Sequence, residues 1–375
     1  MSHNPVAWSP IWALPNVSVE EPFETTQAAI VGDGDTRLAE IAKKHDGMAK
    51  FLDCFSDEFG RKVNPSVLLM RADAPDQVRT VEALGGLRDL LCVSAIVDSH
   101  ANFLNWKRPV GIPFSDSFDV YPWMVSKDCQ RLVAITPAIS GIHLIERLQA
   151  KRAPALAHTV LRQFDLDETL LTALKRRWEI RFAEGSEDLA DLRLFRSIEM
   201  AKSAARMPGG SDSNIYDMGR SIALWVSAFE ILAHDGRSDL VRVLELLRRV
   251  QWQSDKLRDN SHEVVYRRKT IETNLAGELY EKLYGVRNAF LHGNPVTAET
   301  INVRRCQRPI LSFAAPLYRL ALTSYLNIIF PTPPNLDDPE ELGHFIADRM
   351  GFYDGQNNAE KAIMCADEDP SMDDD

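Results

Sequence analysis

"AGELYEKLYGVRNAFLH", residues 276–292, followed by Gly293-Asn294-Pro295, is the stretch on which the fold turns. At 100° per residue, Leu279, Leu283, Val286 and Phe290 fall within about 60° of one another, as the core-facing stripe of a helix does. A second stripe, Tyr280, Tyr284, Arg287 and Leu291, lies about 100° around, so two packing partners are expected for this helix. Gly293 suits the left-handed residue that ends a helix and Pro295 forbids continuation, which places His292 in the last turn.

The same period recurs outward from this helix. It is found in "HTVLRQFDLDETLLTALKRRWEIRF", "DLADLRLFRSIEMAKSAARM", "YDMGRSIALWVSAFEILAHD", "DLVRVLELLRRV" and "ILSFAAPLYRLALTSYLNIIF", so every segment from about 155 to 330 is expected to be helical. "FPTPPNLDDPE" (330–340) ends that bundle, a short helix is expected at 339–349, and "CADEDPSMDDD" is too charged to fold alone. Toward the N-terminus the pattern changes. The first 20 residues have no period and suggest an extended arm; "RLAEIAKKHDGMAKFLDCF" (37–55) has helical spacing; "PSVLLMRA" (65–72) reads as a buried strand before a helical run over 77–97. "FDVYPWMVS" (118–126) and "RLVAITPAIS" (131–140) fit a hairpin. The expected fold is an α+β N-terminal domain over 1–150, a connecting helical region at 151–184, an all-α bundle over 185–330, and a Pro-rich linker, short helix and acidic disordered tail over 331–375, mostly helical overall.

The 375 residues carry a net charge of −11, which argues against a nucleic-acid partner until it is divided by segment. Residues 175–320 hold 24 lysines and arginines against 19 aspartates and glutamates, while residues 321–375 hold 2 against 13. The bundle is therefore mildly basic, and "YRRKT" (266–270) and "VRRCQR" (303–308) nominate Arg267, Arg268, Lys269, Arg304 and Arg305 as phosphate contacts. Each run is equally compatible with a solvated face unless folding gathers them. No stretch is long and apolar enough for a membrane helix and the start lacks a signal-peptide pattern, so a cytoplasmic protein without a membrane partner is expected. Five scattered cysteines form no CxxC and are expected to be reduced. "VGDGDT" (31–36) lacks the context of a phosphate loop and reads as a turn. HExxH, GxSxG and a His pair at i, i+4 are absent, and neither metal nor cofactor is expected.

Arg287 and His292 remain. Five positions put them about 140° and about 7.5 Å apart on a helix, so they need not touch. At a helix C-terminus the dipole favours a protonated imidazole, suited to proton transfer, and Arg287 offers a planar fork for a phosphate that gains charge in a transition state. A His and an Arg without metal ligands fit ribonucleotide cleavage; a dipole-capping His and an Arg paired to a carboxylate fit the same residues. Glu230 interrupts the apolar "IALWVSAFEILA" and is either solvent-facing or paired, with Arg287 the candidate partner.

"LYGVRNAFLHG" resembles the R-x4-6-H signature of HEPN domains, helical bundles of higher eukaryotes and prokaryotes that bind nucleotides. "GRSIALWVSAFEILAH", with Glu230, resembles the family's earlier helix, and the chain is similar to bacterial proteins that carry this domain on the C-terminal side, among the Apea-like members. The resemblance covers roughly 185–330 and implies a HEPN-like bundle with metal-independent endoribonuclease activity, Arg287, His292 and Asn288 as catalytic residues, and Glu230 and Tyr284 in support. It further implies RNA as partner and a homodimer, with a toxin or a stress or defence effector as the biological setting and a protein inhibitor or regulator as a further partner. Family members without activity serve as dimerisation or nucleotide- and partner-binding modules, which is the competing expectation.

Overall fold

The computed structural model describes residues 7–57, 59–106, 114–120, 124–135, 140–144, 159–207, 214–234, 236, 239–329 and 338–368. The chain divides into two units, residues 1–92, 113–166 and 175–187 in the first and residues 93–112, 167–174 and 188–375 in the second. As expected, a small antiparallel sheet lies near the N-terminus and many helices follow it.

In the first unit β1 (Trp8–Leu14), β4 (Ala28–Val31) and β5 (Ser66–Arg71) are largely apolar runs too short for helices, and β2 (Val17–Val19) and β3 (Phe23–Glu24) are shorter segments between them. Four of them form an antiparallel sheet in the order β1-β5-β4-β3. The register of β1 shifts between Pro10 and Trp12, where proline supplies no N–H to the ladder. Residues 8–14 and 17–19 are therefore strands and not an arm, and residues 1–6 of the expected arm lie outside the described residues. Ile11, Trp12, Ala13 and Leu14 are all buried, and a strand covered on both faces shows no alternation to read. One face of the sheet packs Ala13, Val31 and Leu69 against Leu38 of α1 (Thr36–Lys44) and Phe51 of α2 (Asp46–Leu52). "VGDGDT" is a turn and cap, as its composition suggested: a Cβ on Gly32 would run into the Val19 carbonyl, and Asp35 accepts a hydrogen bond from the Arg37 amide at 2.8 Å.

Helix α3 (Val81–Trp106) leads from the first unit into the second. The expected hairpin is present and gains a strand: β6 (Met124–Val125), β7 (Arg131–Ile135) and β8 (Ser140–Leu144) pair antiparallel. Strands do not end at residue 150, since β9 (Thr159–Leu161) pairs parallel with β2. Helix α4 (Glu168–Trp178) follows and closes in a π-helical turn, Glu179–Ala183.

The second unit contains α5 (Leu189–Ala204), α6 (Ile215–Leu232), α7 (Leu240–Arg248), α8 (Asp255–Arg258), a hairpin of β10 (His262–Tyr266) and β11 (Lys269–Thr273), then α9 (Leu275–Leu291), α10 (Ala298–Ile301), α11 (Ala314–Tyr325) and α12 (Pro339–Met364). The hairpin overturns the expectation that every segment here is helical. Helix α12 is no short helix either: it spans 26 residues, and Ala359, Ala362 and Ile363 are buried because they share one helical face. A 3-10 turn, Cys365–Asp367, follows; residues 369–375 of the expected disordered tail lie outside the described residues.

Aromatic rings fill the centre of this unit. Phe229 stands 5.0 Å from Tyr280 and 5.5 Å from Tyr318, which also meets Trp225 at 5.5 Å. Each such pair contributes about 0.5–1.5 kcal/mol beyond its buried area. Beside them Arg319, only 1% exposed, donates from Nε to Asp167 Oδ2 at 2.7 Å and from Nη1 to Gln356 Oε1. Gln356 Nε2 donates to Glu360 Oε1 at 2.7 Å, and Glu360 accepts from the amides of Gln253 and Ser254 at 2.8 and 2.7 Å. A buried charge needs such partners, and this relay joins α11 and α12 to the loop before α8. Among the described residues no helix is long and apolar enough to cross a membrane.

Candidate functional site

Helix α9 starts at Asn274, whose side chain accepts from the Gly277 amide at 3.0 Å. It ends as its sequence requires. His292 is the C-cap, Gly293 has φ of +70°, and the Asn294 amide returns to the Ala289 carbonyl at 3.0 Å. Phe229 meets Tyr280 and Gly219 faces Phe290, so α6 and α9 run antiparallel. That pairing carries Glu230, near the end of α6, to Arg287.

The two stripes of α9 are both occupied from within the chain. Leu279, Leu283 and Val286 are buried, and on the second stripe Tyr280 is fully buried against Phe229 while Tyr284 is half-buried. The Tyr266 ring of β10 stands edge-on to Tyr284 at 6.4 Å. Tyr280 and Tyr284 therefore do not require a second copy to cover them; of that stripe Leu291 remains, 59% exposed.

Arg287 is half-buried. Its guanidinium lies 5.5 Å over the Tyr284 ring, one turn back along α9, with Nη2 3.6 Å from Glu230 Oε2 and Nη1 donating to Asn288 Oδ1 at 3.1 Å. Among the described residues Nε is buried without a hydrogen-bond partner, and so is the Tyr280 hydroxyl. At 3.6 Å the Glu230 contact is an ion pair too long to be a hydrogen bond. Burial pushes the Glu230 carboxyl above its ordinary range, the nearby Arg287 charge offsets part of this, and Asp239 adds to it. Burial likewise drives the Tyr280 hydroxyl well up, with the Glu230 charge second. Glu230 is thus paired and not solvent-facing.

His292 is exposed at the capped end, and its imidazole has no hydrogen-bond or ion-pair partner among the described residues. The basic residues are split between two places. Arg267, Arg268 and Lys269 form the tip of the β10–β11 hairpin, with Arg267 stacked 4.9 Å over Tyr266 and 3.9 Å from Asp239. Arg305 is bound to two carboxylates, Glu278 in the first turn of α9 and Asp367 at 2.7 Å, so it is not a free cation as expected. Arg304 is exposed beside it.

The structure thus gathers Arg287, Asn288, Glu230, Tyr284 and Arg267; among the described residues the side chains of His292, Arg304 and Arg305 make no hydrogen bond or ion pair with that cluster, although the His292 amide donates to the Asn288 carbonyl at 3.0 Å. The structure adds Tyr266, Asp239 and Tyr280, which carried no chemical motif. A short alternation in "HEVVY" was the signal available for Tyr266, hidden because only Val264 of that strand is buried. Among the described residues no group of three or more His, Cys, Asp or Glu side chains is placed to hold a metal ion. Comparison with protein-family models, curated proteins and solved structures found no match.

Proposed function

We propose that the chain is a metal-independent RNA endonuclease of the HEPN type, with Arg287 and His292 as its catalytic residues. His292 takes the proton of a ribose 2′-hydroxyl, O2′ attacks phosphorus, and the P–O5′ bond breaks. The products are a 2′,3′-cyclic phosphate and a 5′-hydroxyl, the latter formed when the departing oxygen takes up a proton. Arg287 stabilises the charge that gathers on the phosphoryl oxygens. The observation that carries this reading is a guanidinium held by Tyr284, Asn288 and Glu230 on the helix whose capped end exposes a histidine. A pre-positioned cation loses little freedom on meeting a phosphate.

Asn288 serves here by orienting Arg287 and not by touching the reacting atoms. Because the guanidinium lies back over Tyr284 while His292 follows by more than a turn, a second copy completes each site in this reading, with Leu291 beside the exposed histidine at the contact. One observation favours the non-catalytic module instead: among the described residues the exposed His292 imidazole has no hydrogen-bond or ion-pair partner to orient it. Purified protein incubated with RNA in excess EDTA separates the two. Cleavage leaving 2′,3′-cyclic phosphate ends is the expected result; intact RNA at stoichiometric protein favours the binding module.

A further inference from the structure

The β10–β11 hairpin is built against its local preference. Its two-residue turn, Arg267-Arg268, has φ of +48° and +65°, the left-handed pair of a type I′ turn that Asn-Gly fills without strain. Two successive arginines hold a conformation that side chains other than Gly, Asn or Asp avoid, and strain retained in this way calls for a functional reason. The charge is polarised as well. Glu263 and Glu272 stand directly opposite each other on the exposed side, where like charges repel, and the three cations occupy the tip. Arg267 is engaged with Tyr266 and Asp239. The side chains of Arg268 and Lys269 are exposed without a hydrogen-bond or ion-pair partner among the described residues. The tip is also tied to the cluster below it, since Tyr266 meets Tyr284 and Tyr284 carries the Arg287 guanidinium.

We propose that this hairpin is a phosphate-gripping finger: Arg268 and Lys269 hold the backbone of an RNA strand near the phosphodiester at Arg287, and the Tyr266–Tyr284 contact sets the distance between grip and site. The identity of the polymer and its place at Arg287 rest on the ribonuclease reading; the grip on its phosphates does not. A guanidinium and an ammonium contact phosphate oxygens whatever the base, so the finger supplies affinity and register and leaves sequence choice to other groups. Each phosphate neutralised on a single strand contributes about 0.7 to the slope of log affinity against log salt, so two contacts contribute about 1.4.

The test is fluorescence anisotropy of the full chain with a labelled 2′-O-methyl oligonucleotide, which has no 2′-hydroxyl to react, between 50 and 200 mM KCl. Arg268→Ala/Lys269→Ala should lower the slope by about 1.4, so that its deficit against wild type shrinks about sevenfold across that range. Arg267→Asn/Arg268→Gly removes two cations while giving the turn its preferred residues; it should bind more weakly and melt no lower than wild type. An unchanged slope in the first variant with unchanged affinity in the second overturns the finger. So does polyglutamate of equal charge binding as tightly as the oligonucleotide. The two proposals fail separately: a hairpin-dependent slope without RNA cleavage keeps the grip and retires the nuclease, whereas cleavage with an unaltered slope does the reverse.

Discussion

Gly219 sets how closely α6 approaches the end of α9 that carries His292. A Cβ at this position would lie 2.6 Å from Cγ and Cδ1 of Phe290 and 2.9 Å from Cε1, roughly 1 Å inside the optimum for carbon contacts. Overpacking of this kind costs about 1–3 kcal/mol, and exchanging Gly for Ala within a helix returns about 1 kcal/mol, so Gly219→Ala should lose about 1 kcal/mol net. Phe290 is only half-buried, so Phe290→Ala should lose about 2 kcal/mol, less than a fully buried phenylalanine. In the double variant the ring is gone and the added methyl meets no clash. Only the helical gain is left, and the double should be about 1 kcal/mol more stable than Phe290→Ala alone. Urea denaturation of the four proteins therefore closes a cycle with a coupling of about 2 kcal/mol. Additivity within about 0.5 kcal/mol would refute the packing of α6 on α9 and, with it, the placement of Glu230 against Arg287.

Arg319→Met should cost about 3–5 kcal/mol in chemical denaturation, because it leaves Asp167 buried without its cation; a loss under 1 kcal/mol would mean that the relay through Gln356 does not hold α12. Glu230 has a folded-state pKa above its unfolded value, so its ionised form costs stability at neutral pH and that cost vanishes as pH falls below the unfolded value of about 4.3. Glu230→Gln should accordingly melt higher than wild type at pH 7, with the gap closing toward pH 4, and a gap that widens on acidification would contradict the burial of this carboxyl. Deleting residues 367–375 frees Arg305 from Asp367; an exposed ion pair worth at most about 1 kcal/mol limits the gain in RNA affinity at low salt to about fivefold. Unchanged affinity would leave the acidic segment without a role in binding.

Helices whose apolar residues repeat around one face were legible in the sequence, down to the stop at Gly293, and the pairing of Glu230 with Arg287 was one of the two alternatives it left open. What escaped has a common physical cause. Strand β1 is covered on both faces, so its burial left no alternation, and the β10–β11 turn uses two arginines where Asn or Gly would have announced it. Helix α12 was expected to end at 349; beyond that point Gln356 and Glu360 are polar residues that only their partners, Arg319 and the amides of Gln253 and Ser254, make part of the core. The second stripe of α9 was legible as apolar, but its cover was not: Tyr266 arrives from a hairpin that the helical period concealed.

Single-turnover cleavage of RNA in EDTA, with wild type and His292→Ala compared at equal concentration and thermal stability, tests the assignment of Arg287 and His292 most directly. His292 is exposed at the helix end, so its loss removes little packing. Loss of cleavage by at least about a hundredfold, the lower bound for removal of a general base, is the expected result, with the melting temperature unchanged. Cleavage by His292→Ala at the wild-type rate would contradict it and leave the histidine as a helix cap.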